Sequence, residues 1–491
     1  MGVRSRIGSL FKGREEFDLT SGGIGKPLFF LSMPIVITNL FQTAYNLADT
    51  FWLGQYNTDA LAAISFAFPM VFLLISLGMG ISVAGSVLVA QYTGAGEERE
   101  AEYAASQTVT FAIIASILLG GVGYFLVEEF LEVMGASEDV LPMASSYMEV
   151  ISLGLLFMFG FFVFVALMRG YGDTITPMLV MFGSVVLNII IDPFLIFGWT
   201  VVENAPIVGT VSFPELGIEG AAIATVFSRG LALVVGLAIM FRGTRGVQIH
   251  LRDMVPDLSY LRRLVRIGLP ASVEGTGRAL SMNLLLFIVA LFPDPVVAAY
   301  GIGTRVFSVI FLPAIAVARG VETMTGQNMG ADKPDRAEQA AALAAKTLFG
   351  VLTVAGIVVW FAAAPIADVF TTNSEVVDIS AEFLRYVALS FGFIGIMRAY
   401  TGSFRGAGKT LTAAAISVLM LGVIRFPIAW VSAGVIGETG IWLSFAISNV
   451  AGAVIAYAWY QRGTWRENDL TEAGSDVAVD DTGGEPTATD D

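Results

Sequence analysis

Met168-Arg169-Gly170-Tyr171-Gly172-Asp173-Thr174-Ile175-Thr176 is echoed 236 residues later by Phe404-Arg405-Gly406-Ala407-Gly408-Lys409-Thr410-Leu411-Thr412, and the shared frame is Arg-Gly-x-Gly-x-Thr-x-Thr. The same shift lays Pro34 on Pro270, Ala62-Ala63 on Ala298-Ala299, Gln91 on Gln327, Gly94 on Gly330 and Glu102 on Glu338. A register kept through four successive apolar stretches marks a duplicated unit. It slips only later, where Pro193 pairs best with Pro427 and a loop at 201–216 belongs to the first copy alone.

The duplicated unit is a membrane unit. Of 491 residues 55% are hydrophobic and 14% charged, with a mean hydropathy of +0.74, a composition foreign to soluble domains. Apolar runs of helical length fall near 28–53, 60–90, 106–127, 142–168, 177–198, 218–241, 264–291, 297–326, 341–361, 377–404, 411–434 and 438–461. Each meets the roughly 20 residues that a bilayer requires. The expected fold class is therefore all-α and integral to the membrane, with about twelve transmembrane helices in two pseudo-symmetric six-helix lobes at 27–241 and 264–462. A basic cytoplasmic segment, 1–26, precedes them, a cytoplasmic linker, 242–263, joins them, and an acidic, disordered cytoplasmic tail, 463–491, follows. Six spans per copy give both lobes the same orientation, the arrangement in which transporter halves rock about a central site.

Charge sets the orientation. Arg99, Arg169, the arginines between 242 and 266, Lys333, Arg336, Arg405, Lys409, Arg462 and Arg466 fall on the side of the basic amino terminus. The alternate loops, at 55–59, 128–140, 200–216, 292–295, 364–376 and 437–439, hold no lysine or arginine. By the positive-inside rule both termini are cytoplasmic and the chain is a multi-pass protein of the cell membrane. The polar start of the chain offers no apolar core for a cleaved signal peptide.

Composition also excludes chemistry. With no cysteine and the single His250, there is no material for disulfides, thiol catalysis or multi-histidine metal sites. Gly170-x-Gly172-Asp173 matches the G-x-G-D of intramembrane aspartyl proteases, but it falls in a loop and its repeat, Gly406-x-Gly408-Lys409, has no carboxylate. Gly408-Lys409-Thr410 lacks the upstream glycine and strand of a phosphate-binding loop. The chain thus reads as a secondary transporter rather than an enzyme, with the protease as the rival from another class. Its expected partners are the lipid bilayer and a small solute, with no nucleic acid, no cofactor beyond a coupling ion, and a monomeric state.

Carboxylates inside a membrane are costly and point to function. Asp49 follows Pro34 by 15 residues and Asp192 follows Pro177 by 15, so both sit at similar depth, about 22 Å along their helices. Thr38, Gln42, Tyr45 and Asp49 recur at helical spacing on one face, and Asn188 lies one turn before Asp192. Thr225 descends to a neighbouring depth. Such a group could hold a proton or a sodium ion, since two acids, an amide and hydroxyls suit either; helix-to-helix bonding by the neutral members is the plainer alternative. Phe157, Phe161 and Phe164 could offer apolar or cation–π surface to a cationic solute. In the second copy Glu274 and Arg278 have the i,i+4 order of an internal ion pair.

These motifs together resemble the multidrug and toxic compound extrusion (MATE) family, in its archaeal type. The resemblance covers about 26–462 and rests on Pro34 with Tyr45-Asn46-Leu47-Ala48-Asp49-Thr50, Arg169-Gly170-x-Gly172-Asp173-Thr174, Asn188-x-x-x-Asp192-Pro193, and Gly220-Ala221-Ala222-x-Ala224-Thr225. It implies an antiporter exporting small amphipathic organic cations or drugs against protons or sodium. It implies further that Tyr45, Asp49, Asn188, Asp192 and Thr225 form the proton or cation site, with sodium on Asp49, Asn188, Asp192 and Thr225 as its metal form. Gln42 would lie near substrate, and Pro34 would mark a helix bend. Glu274 answers one acid of a second-lobe sodium site found in other branches, whereas the tenth span offers Arg398 and no central acid. A flippase for lipid-linked sugars or anionic lipids is the rival within the same superfamily, favoured by the buried arginines.

Overall fold

The computed structural model describes residues 18–134, 137, 138, 140–205 and 209–467. Most of the expected amino-terminal segment 1–26 and of the acidic tail 463–491 therefore lies outside the described residues. Lobe one comprises α1 (Gly25–Tyr56), α2 (Thr58–Ala95), α3 (Glu98–Val133), α4 (Leu141–Leu153), α5 (Leu155–Tyr171), α6 (Ile175–Phe197) and α7 (Gly217–Arg242). Lobe two comprises α8 (Leu258–Val289), α9 (Asp294–Gly330), α10 (Pro334–Phe361), α11 (Ser374–Ala388), α12 (Phe391–Gly406), α13 (Thr410–Val418), α14 (Phe426–Ile436) and α15 (Glu438–Tyr460). Two spans are broken, α4 from α5 by 53° and α11 from α12 by 50°. A π-helical stretch, Leu419–Arg425, joins α13 to α14.

Counted as broken or continuous, these make the twelve crossings expected. Among the described residues nine helices are long and apolar enough to span alone, and eleven when each bent pair counts as one. The twelfth, α8, falls short because it carries Arg262, Arg263, Arg266, Glu274 and Arg278 along its length. Its outer face is nonetheless apolar: Leu269, Leu280, Met282 and Phe287 are all more than half exposed, as side chains in contact with lipid must be.

Short-range chemistry sets the ends. The Asn57 carboxamide accepts from Ala60 N at 2.6 Å, and Asp257 accepts from Ser259 N at 2.8 Å, each satisfying an orphan donor at a helix start. The repeat glycines Gly172 and Gly408 have φ of 103° and 78°, left-handed values that a side chain would resist. Asp173, the residue of the protease-like motif, accepts from Ile175 N at 3.1 Å and Thr176 N at 2.9 Å, capping α6. The loop at 201–216 includes an antiparallel hairpin, Trp199–Ala205 with Gly209–Phe213.

The two lobes meet where α2 packs on α8 and α9, and α9 on α1. The inter-lobe connection lies at one end of the bundle, the linker face, and the hairpin lies at the opposite end. The connection is clamped to lobe one by Gln107, which donates to the carbonyls of Asp253 and Val255 at 2.7 Å each, and by Arg99 paired with Asp253 at 2.6 Å.

The structure corrects one reading. Arg169 and Arg405 were expected in loops on the basic side, but both lie inside helices, and Arg405 is only 5% exposed. The Gly-rich turn follows each arginine instead of containing it, so the side chain is turned back into the bundle.

Candidate site in lobe one and the inter-lobe cavity

The packing of α1 against α6 and α7 brings the expected polar residues of lobe one together. Asp49 is 6% exposed, and Asn188 and Asp192 are fully buried. The Asp49 and Asp192 carboxyl groups are near neighbours. Thr225 reaches Asp49 Oδ2 at 3.5 Å, and the Asn188 amide donates to Asp192 Oδ1 at 3.0 Å. Asp49 Oδ1, Asp192 Oδ2 and Asn188 Oδ1 find no donor. Three buried acceptors converging without a hydrogen between them are expensive. One shared proton between the acids, or a small hard cation among Asp49, Asn188, Asp192 and Thr225, relieves that cost, since either supplies the missing positive partner. Among the described residues no group of three His, Cys, Asp or Glu could hold a metal ion; two carboxylates with neutral oxygens instead fit a monovalent ion.

Two further residues join the site, neither of them part of its sequence motifs. Arg229, one turn beyond Thr225 on α7, is 2% exposed. Its guanidinium lies 4.5 Å from the Tyr45 ring centroid and 5.1 Å from that of Phe161, and it donates to Gln42 Oε1 at 2.7 Å. Tyr147 of α4 is within electrostatic reach of both acids. A lone arginine in the apolar run 218–241, four residues after Thr225, is a legible signal. Tyr147 carries no such signal, because nothing in its sequence surroundings sets it apart from other tyrosines.

A second feature lies between the lobes. A cavity of about 250 Å³ is bounded by Asn39, Met79, Phe159, Phe162, Arg169 and Arg319, among others. It adjoins a smaller one of about 90 Å³ beside Glu274, Arg278, Arg398 and Arg405. Phe161 lies buried under Arg229, and Phe157 packs on Gly230; the aromatics bounding the cavity are Phe159 and Phe162. Gln42 is held by Arg229 and by its own bond to Asn46. Pro34 lies within an unbroken α1, where Thr38 bonds its carbonyl at 2.8 Å. Glu274 and Arg278 do pair, at 3.4 Å, but Arg405 binds Glu274 more closely, at 3.1 Å, and also reaches Glu322 at 3.1 Å.

The sequence profile of the MatE family matches this chain twice, at 34–194 and 270–431. The two matches begin at Pro34 and Pro270, the pair that opened the internal repeat. The chain belongs to the MatE family. A relative from Shewanella oneidensis named as a FAD transporter is 29% identical over 451 residues, covering 91% of this chain and 97% of the relative. A probable multidrug resistance protein NorM from Thermotoga maritima is 26% identical, covering 90% and 94%. In fold, the chain resembles the Vibrio cholerae MATE transporter VcmN in its bent form, with a TM-score of 0.83 at 24% identity, covering 91% and 98%. It equally resembles a MOP superfamily transporter from Pyrococcus furiosus, with a TM-score of 0.83 at 22% identity, covering 93% and 100%. As a MatE protein the chain is a membrane transporter of small molecules and not an enzyme. The Gly-x-Gly-Asp motif is accordingly a turn and helix cap.

Proposed function

We propose that this MatE protein is an antiporter that expels a small amphipathic organic molecule in exchange for protons or sodium, and that the coupling ion binds in lobe one. The observation that carries the reading is the meeting of Asp49 and Asp192 with unpartnered oxygens on both. A site of that kind is stable in either of two states, loaded or rearranged, and so can bias a packing equilibrium between lobe conformations. Its seclusion matters as well: neither acid bounds the inter-lobe cavity, so the ion and the cargo occupy separate places. By the positive-inside rule the linker face is cytoplasmic.

Organic cations, the cargo expected from the acids and aromatics and matching the multidrug names of several relatives, are one substrate class. An anion is the second, favoured by the arginines around the cavity and by the relative named as a FAD transporter. The test is transport in proteoliposomes, with pH and sodium gradients imposed in turn on fluorescent dyes of each charge. Flux that follows one gradient supports antiport. Flux that persists unchanged with both gradients collapsed contradicts it.

A further inference from the structure

Positive charge exceeds negative on the cavity wall. Glu274 is bonded by Arg405 at 3.1 Å, Arg278 at 3.4 Å and Arg398 at 3.8 Å, and by the Ser417 hydroxyl at 3.0 Å. Glu322 is bonded by Arg319 at 2.9 Å and by Arg405 at 3.1 Å. Arg169 faces the same space from lobe one. Five guanidinium groups thus share two carboxylates, and no other acid bounds either pocket among the described residues.

Structure alone does not require this excess. Arg405 touches both acids by itself, and a guanidinium keeps its charge even when buried. Each further arginine adds a desolvation cost that an internal ion pair no longer offsets. Arg278 and Arg398 also keep an Nε with no acceptor, so donors remain on the very groups that carry surplus charge. They bound a space that opens between the lobes, and Phe72, Phe159 and Phe162 give that space apolar walls. Guanidinium forks bind phosphoryl oxygens in a bidentate way, with both geometry and charge matched.

We propose that the inter-lobe cavity binds a phosphoryl anion on Arg278, Arg319 and Arg398, and that the cargo is an amphipathic molecule bearing a phosphate or diphosphate. This rests on the antiport reading and names its substrate class. Lobe one then serves the coupling cation and lobe two the anionic cargo, a division already visible in the repeat, which sets Glu274, Arg278 and Leu285 where lobe one has Thr38, Gln42 and Asp49.

The experiment is calorimetric titration of inorganic pyrophosphate into the full chain in nanodiscs of neutral lipid. The expected result is saturable binding, weakened about tenfold or more in Arg278→Gln and in Arg319→Gln and largely kept in Arg319→Lys. Arg405 still neutralises the acids in each variant, and melting without ligand identifies any that fail to fold; Arg398→Gln is the reserve variant. Nanodiscs containing phosphatidylglycerol separate the two sources of phosphoryl groups: undiminished affinity assigns the site to a soluble compound, and competitive loss assigns it to a lipid headgroup. Gradient-dependent flux of Asp49→Asn in proteoliposomes is measured separately, so failure of ion coupling and failure of anion binding are read by different experiments. Absence of binding to the folded wild type, or binding that Arg278→Gln and Arg319→Gln leave unaltered, overturns the proposal.

Discussion

Gln91 donates its side-chain amide across the lobe boundary to the carbonyl of Gly406 at 3.0 Å, and Gln327 returns the same bond to the carbonyl of Gly170 at 3.1 Å. The two glutamines are repeat partners, as are the two glycines. Gln327 also donates to the Tyr171 carbonyl at 3.0 Å. These bonds close the seam near the linker face, with the inter-lobe cavity immediately beyond them, since Ser86 and Arg169 bound that cavity. They join the Arg-Gly-x-Gly turns of one lobe to the long helix of the other.

Loss of either bond should loosen the seal. Gln91→Leu and Gln327→Leu each leave a buried carbonyl without its donor, at a cost of about 1–3 kcal/mol. In this cysteine-free chain, Ser86→Cys can report access from the linker face. Thiol labelling should accelerate several-fold in each glutamine variant and further in the double variant. Unchanged labelling would show that the seam does not depend on the pair.

Gly94 and Gly330, also repeat partners, test the same seam sterically. A Cβ on Gly94 would collide with the Gln327 carbonyl, and one on Gly330 with the Gln91 carbonyl. Alanine normally favours a helix over glycine by about 1 kcal/mol. Gly94→Ala and Gly330→Ala should instead lower Tm and speed labelling at Ser86→Cys, because backbone cannot yield as a side chain can.

Much of this was legible in the sequence, for identifiable reasons. Helix period and carboxylate depth are local properties, so Asp49, Asn188, Asp192 and Thr225 were found and do converge. The repeat offset predicted the lobes because each copy preserves glycines at contacts where nothing larger fits. The burial of Arg405 is hidden in the sequence because a charge beside a Gly-rich turn looks like a loop charge, and only the fold shows α12 carrying it inward to Glu274. The cavity aromatics were beyond reach for a related reason. Phe157, Phe159, Phe161 and Phe162 all sit on α5, and which of them faces lobe two depends on how the break at Gly154 turns that helix.

Arg229 is the test of the neglected half of the ion site. Arg229→Ala removes the positive charge beside Asp49 and the cover over the Tyr45 ring, leaving the acids buried with less compensation. We expect a Tm lowered by several degrees, in line with about 3–5 kcal/mol for breaking a buried charge partnership, and loss of gradient-driven flux. Arg229→Lys, which keeps charge without the planar fork, should recover part of both. Wild-type flux in Arg229→Ala would remove this residue from the site.

Outside the membrane, the linker clamp should be sensitive to acid. The Arg99 guanidinium, hydrogen-bonded to Asp253, holds that carboxyl below its ordinary range. A depressed carboxylate pKa gives stability that is full above the unfolded value, about 3.9, and is lost as pH falls through the folded value. Asp253→Asn should therefore lower Tm at neutral pH, and its difference from the wild type should close as the pH drops below about 4. A difference that is constant from pH 7 to pH 3 would show that the pair does not stabilise the clamp.

The central claim is that the acids of lobe one couple transport to the ion and that Glu274 of lobe two does not. The most direct measurement is flux in proteoliposomes, expressed as the ratio with and without the driving pH or sodium gradient, compared among Asp49→Asn, Asp192→Asn and Glu274→Gln. The account predicts a ratio near one in both aspartate variants, because a neutral amide neither cycles a proton nor balances a cation, and a ratio well above one in Glu274→Gln even where total flux falls. A coupled ratio retained in Asp49→Asn and Asp192→Asn but lost in Glu274→Gln would place the switch in lobe two and contradict the account.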